Sequence, residues 1–280
     1  MKDRAARAAP WLAALLAAAG CAPAERAATP PRPPAPPAGA SQATSAADGA
    51  LHAPFSALLA GVVDDGRVDY GELKRREPEL RAYVASLAAA DTASLDRRAA
   101  LAFWIDAYNA FTLALIVEHM PGLQSVMDIP ADQRWTDARW DAGGRRWSLL
   151  EIERDALRPL GDPRIHAALV RGSRSCPDLP PEAFVPERID VQLDAAMRRF
   201  LADRFKGLSW GAGGDGPFDA DLVLRLSRVF DWYGRDFTAH GPLVDFLLRY
   251  APADAVAFIQ ANREDLGVEY LDWDWSLNGR

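Results

Sequence analysis

A chain of 280 residues, 49% hydrophobic and 25% charged, has globular composition, which excludes a wholly disordered or fibrous protein. The formal net charge is −7. Residues 1–50 carry five basic against three acidic side chains, which leaves −9 on the rest, so no basic stripe is available for nucleic acid and none is expected as a partner. Nine tryptophans point to a well-filled core or an aromatic-lined cleft.

The first 21 residues read as an address. Lys2, Arg4 and Arg7 precede an apolar run, Trp11 to Ala19, that is shorter than the roughly 20 residues a bilayer span needs. Ala18-Ala19-Gly20-Cys21 resembles a bacterial lipoprotein processing site, with Ala18 where a branched residue is usual. The resemblance implies a diacylglycerol on Cys21 and N-acylation, hence a lipid-membrane anchor in the bacterial cell envelope. Ala22 after the cysteine fits the outer membrane, with the domain facing the periplasm. The competing reading is an ordinary cleaved signal and a chance cysteine. Residues 22–50 are rich in proline and alanine, with seven prolines between 22 and 49, and are expected to form an extended, disordered tether. The globular domain is expected over 51–280.

Within it, 52–63 reads as an amphipathic helix and Asp64-Asp65-Gly66-Arg67 as a turn. A helix over 71–89 should break at Pro78. Thr92 is the expected cap of a helix over 94–120, apolar on most sides and so central. Residues 135–147 form a hairpin around Asp141-Ala142-Gly143-Gly144, and Ser148 with Glu151 makes a capping box for the next helix. Ile165 to Val170 reads as a buried strand, with one helical turn as the alternative. A helix follows over 188–205, then an exposed glycine-rich loop over 210–217 and a strand over 221–230. Helices at 242–250 and 253–262 precede a last strand at 268–275. The sum is α+β: a helix-rich single domain with a small, mostly antiparallel sheet.

Chemistry concentrates in 162–177. If Cys21 is acylated, Cys176 has no disulfide partner, and a lone thiol in an oxidising compartment is either buried or functional. Arg171, Arg174 and two serines precede it. With His166 as base, Cys176 could serve as a nucleophile. Glu153, Asn109, Glu151 and Asp162 are candidates to orient the imidazole, and the Ser173–Cys176 amides could receive an oxyanion. The plainer readings are a packed thiol, a histidine bonded to a carbonyl, a capping Glu151 and a buried, paired Asn109 amide. No close-spaced metal-ligand pair, phosphate loop or dinucleotide motif occurs, so no metal or cofactor is expected.

Several ordered motifs resemble the family called domain of unknown function 547. They are Phe103-Trp104-Ile105-Asp106-Ala107-Tyr108-Asn109-Ala110-Phe111, Ser148-Leu149-Leu150-Glu151-Ile152-Glu153, and Asp162-Pro163-Arg164-Ile165-His166 through Gly172-Ser173-Arg174-Ser175-Cys176-Pro177. Gly66-Arg67-Val68-Asp69-Tyr70 and 270–278 resemble its two ends. Members commonly carry histidine after the glutamate at position 153, where this chain has Arg154. A more distant likeness to papain- or transglutaminase-like cysteine hydrolases would require a permuted fold, because His166 precedes Cys176. Two functions remain open. One is a thiol-dependent hydrolase or acyl/amide transferase on peptide-like substrates, with catalytic Cys176, His166, Glu153 and Asn109. The other is a non-catalytic envelope module with a structural cysteine, binding a protein or glycan partner through its tryptophans or the hairpin at 135–147.

Overall fold

The computed structural model describes residues 38–213 and 222–280. Cys21 and the proposed signal fall outside them, as does most of the 22–50 stretch. Its last part, however, belongs to helix α1 (Ala38–Val62), which begins before the expected domain start at 51. A two-strand turn follows, β1 (Val63–Asp64) with β2 (Arg67–Val68), then α2 (Tyr70–Arg75) and α3 (Glu77–Ser86), separated just before Pro78 as expected.

Helix α4 (Arg97–Glu118) is the centre of the first core. Every residue from Ala99 to Val117 is buried. It is the one helix among the described residues long and apolar enough to cross a membrane, but here it is wrapped in protein. Its cap is Asp96, not Thr92: the Asp96 carboxylate accepts from the amides of Arg98 and Ala99, two of the donors that a helix start leaves unpaired. Asp106, buried on α4, accepts from the Phe184 amide (3.0 Å) and lies 3.1 Å from Nδ1 of His52 on α1, which is also 2.6 Å from the Tyr83 hydroxyl on α3. This polar knot fixes three helices in hydrocarbon.

A short helix α5 (Ala131–Arg134) leads to the hairpin of β3 (Trp140–Ala142) and β4 (Arg145–Trp147). Gly143 and Gly144 both hold positive φ, the two-residue turn that matches strand twist. The predicted strand at 165–170 is not one. Residues Pro163–Ala167 form a 3-10 helix capped by Asp162, so the competing one-turn helical reading applies there. Proline at its start and a capping carboxylate outweigh the short apolar run.

The second core gathers α7 (Ile189–Ala202), which follows the short α6 (Leu149–Glu151), with a three-stranded sheet of β5 (Leu208–Ala212), β6 (Leu222–Leu226) and β7 (Leu266–Tyr270). The exposed loop expected from Trp210 is therefore strand as far as Ala212, and 214–217 lie outside the described residues. β5 and β6 pair antiparallel, β6 and β7 parallel. Between β6 and β7 run α8 (Arg228–Trp232), α9 (Gly234–Thr238), α10 (Leu243–Tyr250) and α11 (Ala253–Ala261). The aromatic stretch 271–275, expected as strand, is an extended tail outside the sheet. The fold is mixed helix and sheet, with antiparallel pairing dominant.

Candidate functional site: an aromatic cleft over a buried ion pair

Ser148 starts the segment that carries Glu153. Its hydroxyl accepts from the Glu151 amide (3.2 Å) while Glu151 returns a carboxylate oxygen to the Ser148 amide (2.8 Å), the predicted capping box. The helix then widens: Ile152–Leu157 is a π-helix, a rare form that places one extra residue in the turn and recurs at functional sites. Glu153 lies in that turn, 5% exposed, with Oε2 2.7 Å from Nη2 of the equally buried Arg171. The same Nη2 reaches the Tyr233 hydroxyl at 2.9 Å. Burial pushes the Glu153 carboxyl upward, but the Arg171 charge and the Tyr233 hydroxyl outweigh it and hold it below the usual range. Burial likewise raises Tyr233, to about 12.

Behind Tyr233 sits His166, fully buried and stacked on the tyrosine ring (centroids 4.0 Å apart). Its Nε2 bonds Asp236 Oδ2 at 2.8 Å, and Arg158 closes on the same carboxylate with Nε and Nη2 at 2.7 and 2.8 Å. Burial lowers the imidazole below its ordinary value, partly opposed by Asp236. His166 Nδ1 and Arg171 Nη1 are buried without a hydrogen-bond partner.

The loop after the 3-10 helix is held from two sides. Asn109 on α4 clamps its backbone, donating to Ala168 O and accepting from Val170 N, both at 2.9 Å. Gly172 sits at φ 75°, where a Cβ would come 2.4 Å from Ile116 Cδ1. Cys176 is 2% exposed, and its sulfur is turned back into the loop, accepting the Arg171 amide (3.1 Å) and lying 3.0 Å from the Ser173 hydroxyl, which itself accepts from Trp273 Nε1 (3.1 Å). The amides of Arg174, Ser175 and Cys176 go to Ser276 O, Asp274 O and Ser173 O. The Ser175 hydroxyl accepts from the Asp274 amide at 2.8 Å.

That lacing fixes the tail, and the tail supplies a wall. Trp232, Trp273 and Trp275 form one cluster, with centroids 4.8, 5.6 and 6.1 Å apart. Trp232 remains 45% exposed. Trp232, Tyr233 and Trp275 face Trp135, Thr136, Leu149 and Leu150 across a cleft of about 320 Å³ whose floor is Tyr108, Glu153 and Arg171. The hairpin side is tied in by the Leu150 amide, which donates to Trp135 O.

The structure therefore brings Glu153 to the cleft, and Arg171 with it, while His166 and Cys176 take different partners and do not bond each other. His166 is oriented by Asp236, not by Glu153 or Asn109; Asn109 is the buried, paired amide of the plainer reading, and Glu151 is a cap. Asp162 caps the 3-10 helix and pairs with Arg164 and Arg97. Of the loop amides expected to receive an oxyanion, those of Arg174, Ser175 and Cys176 are already donated. Missed by the sequence reading were Tyr233, Asp236 and Trp232, which follow a stretch read as a strand through Phe230. Among the described residues no group of three or more His, Cys, Asp or Glu could hold a metal ion.

Fold and site together define a helix-rich α+β protein with an aromatic cleft over a buried Glu–Arg floor. Residues 92–201 match the model of the family described as Protein of unknown function, DUF547. The matched stretch contains α4, Glu153, His166, Arg171 and Cys176, whereas Tyr233, Asp236 and the tail tryptophans lie beyond it. Comparison with curated proteins and with solved structures gives no match.

Proposed function

We propose that this protein is a non-catalytic binding module, tethered to the bacterial envelope through a lipidated Cys21, whose cleft receives a small neutral ligand or the exposed group of a larger one. One observation carries the reading. The Arg171–Cys176 loop, the richest stretch in chemical groups, turns its thiol onto its own Arg171 amide and Ser173 hydroxyl and gives the Arg174 and Ser175 amides to the tail whose Trp275 walls the cleft. Groups held this way are not available to a substrate. Cleft volume and lining suit ligand binding: apolar and aromatic walls, a few polar groups at the floor, and a size at the lower end of the roughly 300–1,000 Å³ usual for ligand sites. The envelope placement is supported by the charged n-region, the short apolar run and Gly20-Cys21.

Ligand-observed NMR with a library of neutral fragments tests this reading on three proteins. Wild type and Cys176→Ala should share the same hits, the latter being less stable because Arg171 N and Ser173 Oγ lose their sulfur partner. Trp232→Ala should lose them. Hits indifferent to Trp232, or abolished by folded Cys176→Ala, would remove the proposal.

A further inference from the structure

Resting on the reading of this cleft as a binding site, we infer that acid opens its wall: His166 takes a proton, Tyr233 leaves its stack on the imidazole, and the cleft loses that side.

Tyr233 lies between the cleft and the imidazole. It lines the cleft and stacks on His166, which does not line it. His166 is wholly buried, with Phe237 tilted against its ring at 5.5 Å. The two ring nitrogens are treated unequally. Nε2 bonds Asp236 Oδ2, and Arg158 holds the same carboxylate, so the single ring hydrogen belongs on Nε2. Nδ1 is then the bare nitrogen, buried and without a partner. A second proton has only Nδ1 to go to. There it makes an N–H with no acceptor and a cation that the Arg171 charge opposes. Once Tyr233 leaves the stack, that N–H reaches water.

The other charges around the ring leave this conflict in place. The π-helix brings Glu153, the segment after it Arg158, the loop Arg171 and α9 Asp236, two carboxylates against two guanidinium groups in closed pairs. On the 3-10 helix itself Asp162 pairs with Arg164, and Asp190 and Asp194 of α7 close on the same arginine. Burial lowers His166 below its ordinary 6.5. Glu153 and Asp236 are held below their ordinary 4.5 and 3.8, so above about pH 5 the imidazole alone changes charge here.

The wall also has a joint. α8 and α9 are five residues each and meet at Tyr233, whose ψ of 22° breaks the helix between them. Beside it, a Cβ on Gly234 would meet nothing within 4 Å. With the wall open the ring regains its ordinary value. Opening then takes up one proton, and each pH unit below 6.5 favours the open form about tenfold, until the closed form protonates at its lowered value.

Hydrogen exchange of the full chain, read by mass spectrometry and corrected for intrinsic rates, tests this without a ligand. The amides of Tyr233, Asp236 and Phe237, which bond Val229 O and Tyr233 O, should be less protected than those of α4 and should lose about tenfold per unit as pH falls below 6.5. His166→Gln, which keeps a donor for Asp236 and does not titrate, should abolish that loss; if it fails to fold, His166→Phe, which keeps a ring on Tyr233, takes its place. Wall amides as protected as those of α4 would mean that the wall opens only with the whole domain, and overturn the inference. So would a flat pH response, or one that survives in the variant. If the response appears as expected but no Trp232-dependent fragment binds at neutral pH, the acid opening stands and the binding reading falls. If fragments bind and the response is flat, the opening falls and the binding reading stands.

Discussion

Arg171 is the residue on which the site turns, because its charge is almost wholly removed from water. A guanidinium in that position is tolerable only with its carboxylate beside it; removing one partner of a buried pair leaves the other uncompensated. Glu153→Gln keeps the shape and removes the charge. Its expected effect is a loss of about 3 kcal/mol of stability, of the order found when one member of a buried pair is deleted. Replacing Glu153 and Arg171 together by methionine should recover most of that loss, since both charges then leave the interior. Denaturant unfolding of Glu153→Met, Arg171→Met and the double variant reads this as a coupling energy. Additive effects would mean that the pair is solvated and the cleft floor is not as dry as its burial indicates. Glu153 was legible as a poorly solvated carboxylate because Ile152, Ala156 and Leu157 surround it in sequence. Its partner was not, since nothing local marks which of Arg171 and Arg174 turns inward.

At the scale of elements, the periodic helices were legible and the irregular pieces were not. The apolar run of α4 and the Ser148 box announced themselves through spacing and capping chemistry. The π-turn at Ile152–Leu157 has no sequence signature of its own, and the six-residue run at 165–170 is too short for period to separate strand from 3-10 helix. The contact between α1 and α4 was equally hidden, since Asp106 had no reason to be paired with His52 until both were placed. Its consequence is a pH dependence. In the unfolded chain His52 loses its proton as pH rises through 6.5, and Asp106 through 3.8. In the fold, burial pushes His52 down to about 4 and Asp106 well up. The two shifts oppose each other: the lowered His52 contributes stability that grows as pH rises from about 4 to 6.5, and the raised Asp106 contributes stability that is lost as pH rises above 3.8, for as long as the folded carboxyl keeps a proton that the unfolded one has released. Asp106→Asn has no such proton to keep. As pH rises above 3.8 the wild type should therefore lose stability relative to this variant in urea unfolding, by about 1.4 kcal/mol per unit while the folded Asp106 stays protonated. Parallel curves would show that Asp106 is ionised in the folded protein.

Across the whole molecule, what sequence could not show is that the ends of the fold meet. Residues 171–178 were read with His166 because they lie near it in the chain; in space they are laced to 273–279, a hundred residues on, and such pairing leaves no local trace. The lacing continues to α2. The Tyr70 hydroxyl donates to Asn278 Oδ1 at 2.6 Å in a buried contact, the Val68 amide reaches Asn278 O at 3.2 Å, and the Asn278 amide returns to Gly172 O at 3.1 Å. The early turn, the cysteine loop and the tail are thus one hydrogen-bonded unit, and the tryptophan wall is its outer face. Tyr70→Phe removes one oxygen from that unit and almost no apolar area. It leaves the buried Asn278 side chain, whose Nδ2 already lacks a partner, with no partner at either end. The expected cost is about 1–3 kcal/mol, the range for stranding a buried acceptor, with the urea midpoint lowered and the slope m unchanged because the surface exposed on unfolding is the same. Tyr70 does not line the cleft, so a merely local defect would leave ligand affinity as it was. If the tail positions the wall, the loosened Asn278 lets Trp275 drift, and the fragments that need Trp232 should bind more weakly in Tyr70→Phe even under conditions where the variant is fully folded. Lower stability with unchanged affinity would show instead that the wall stands on the tryptophan cluster alone.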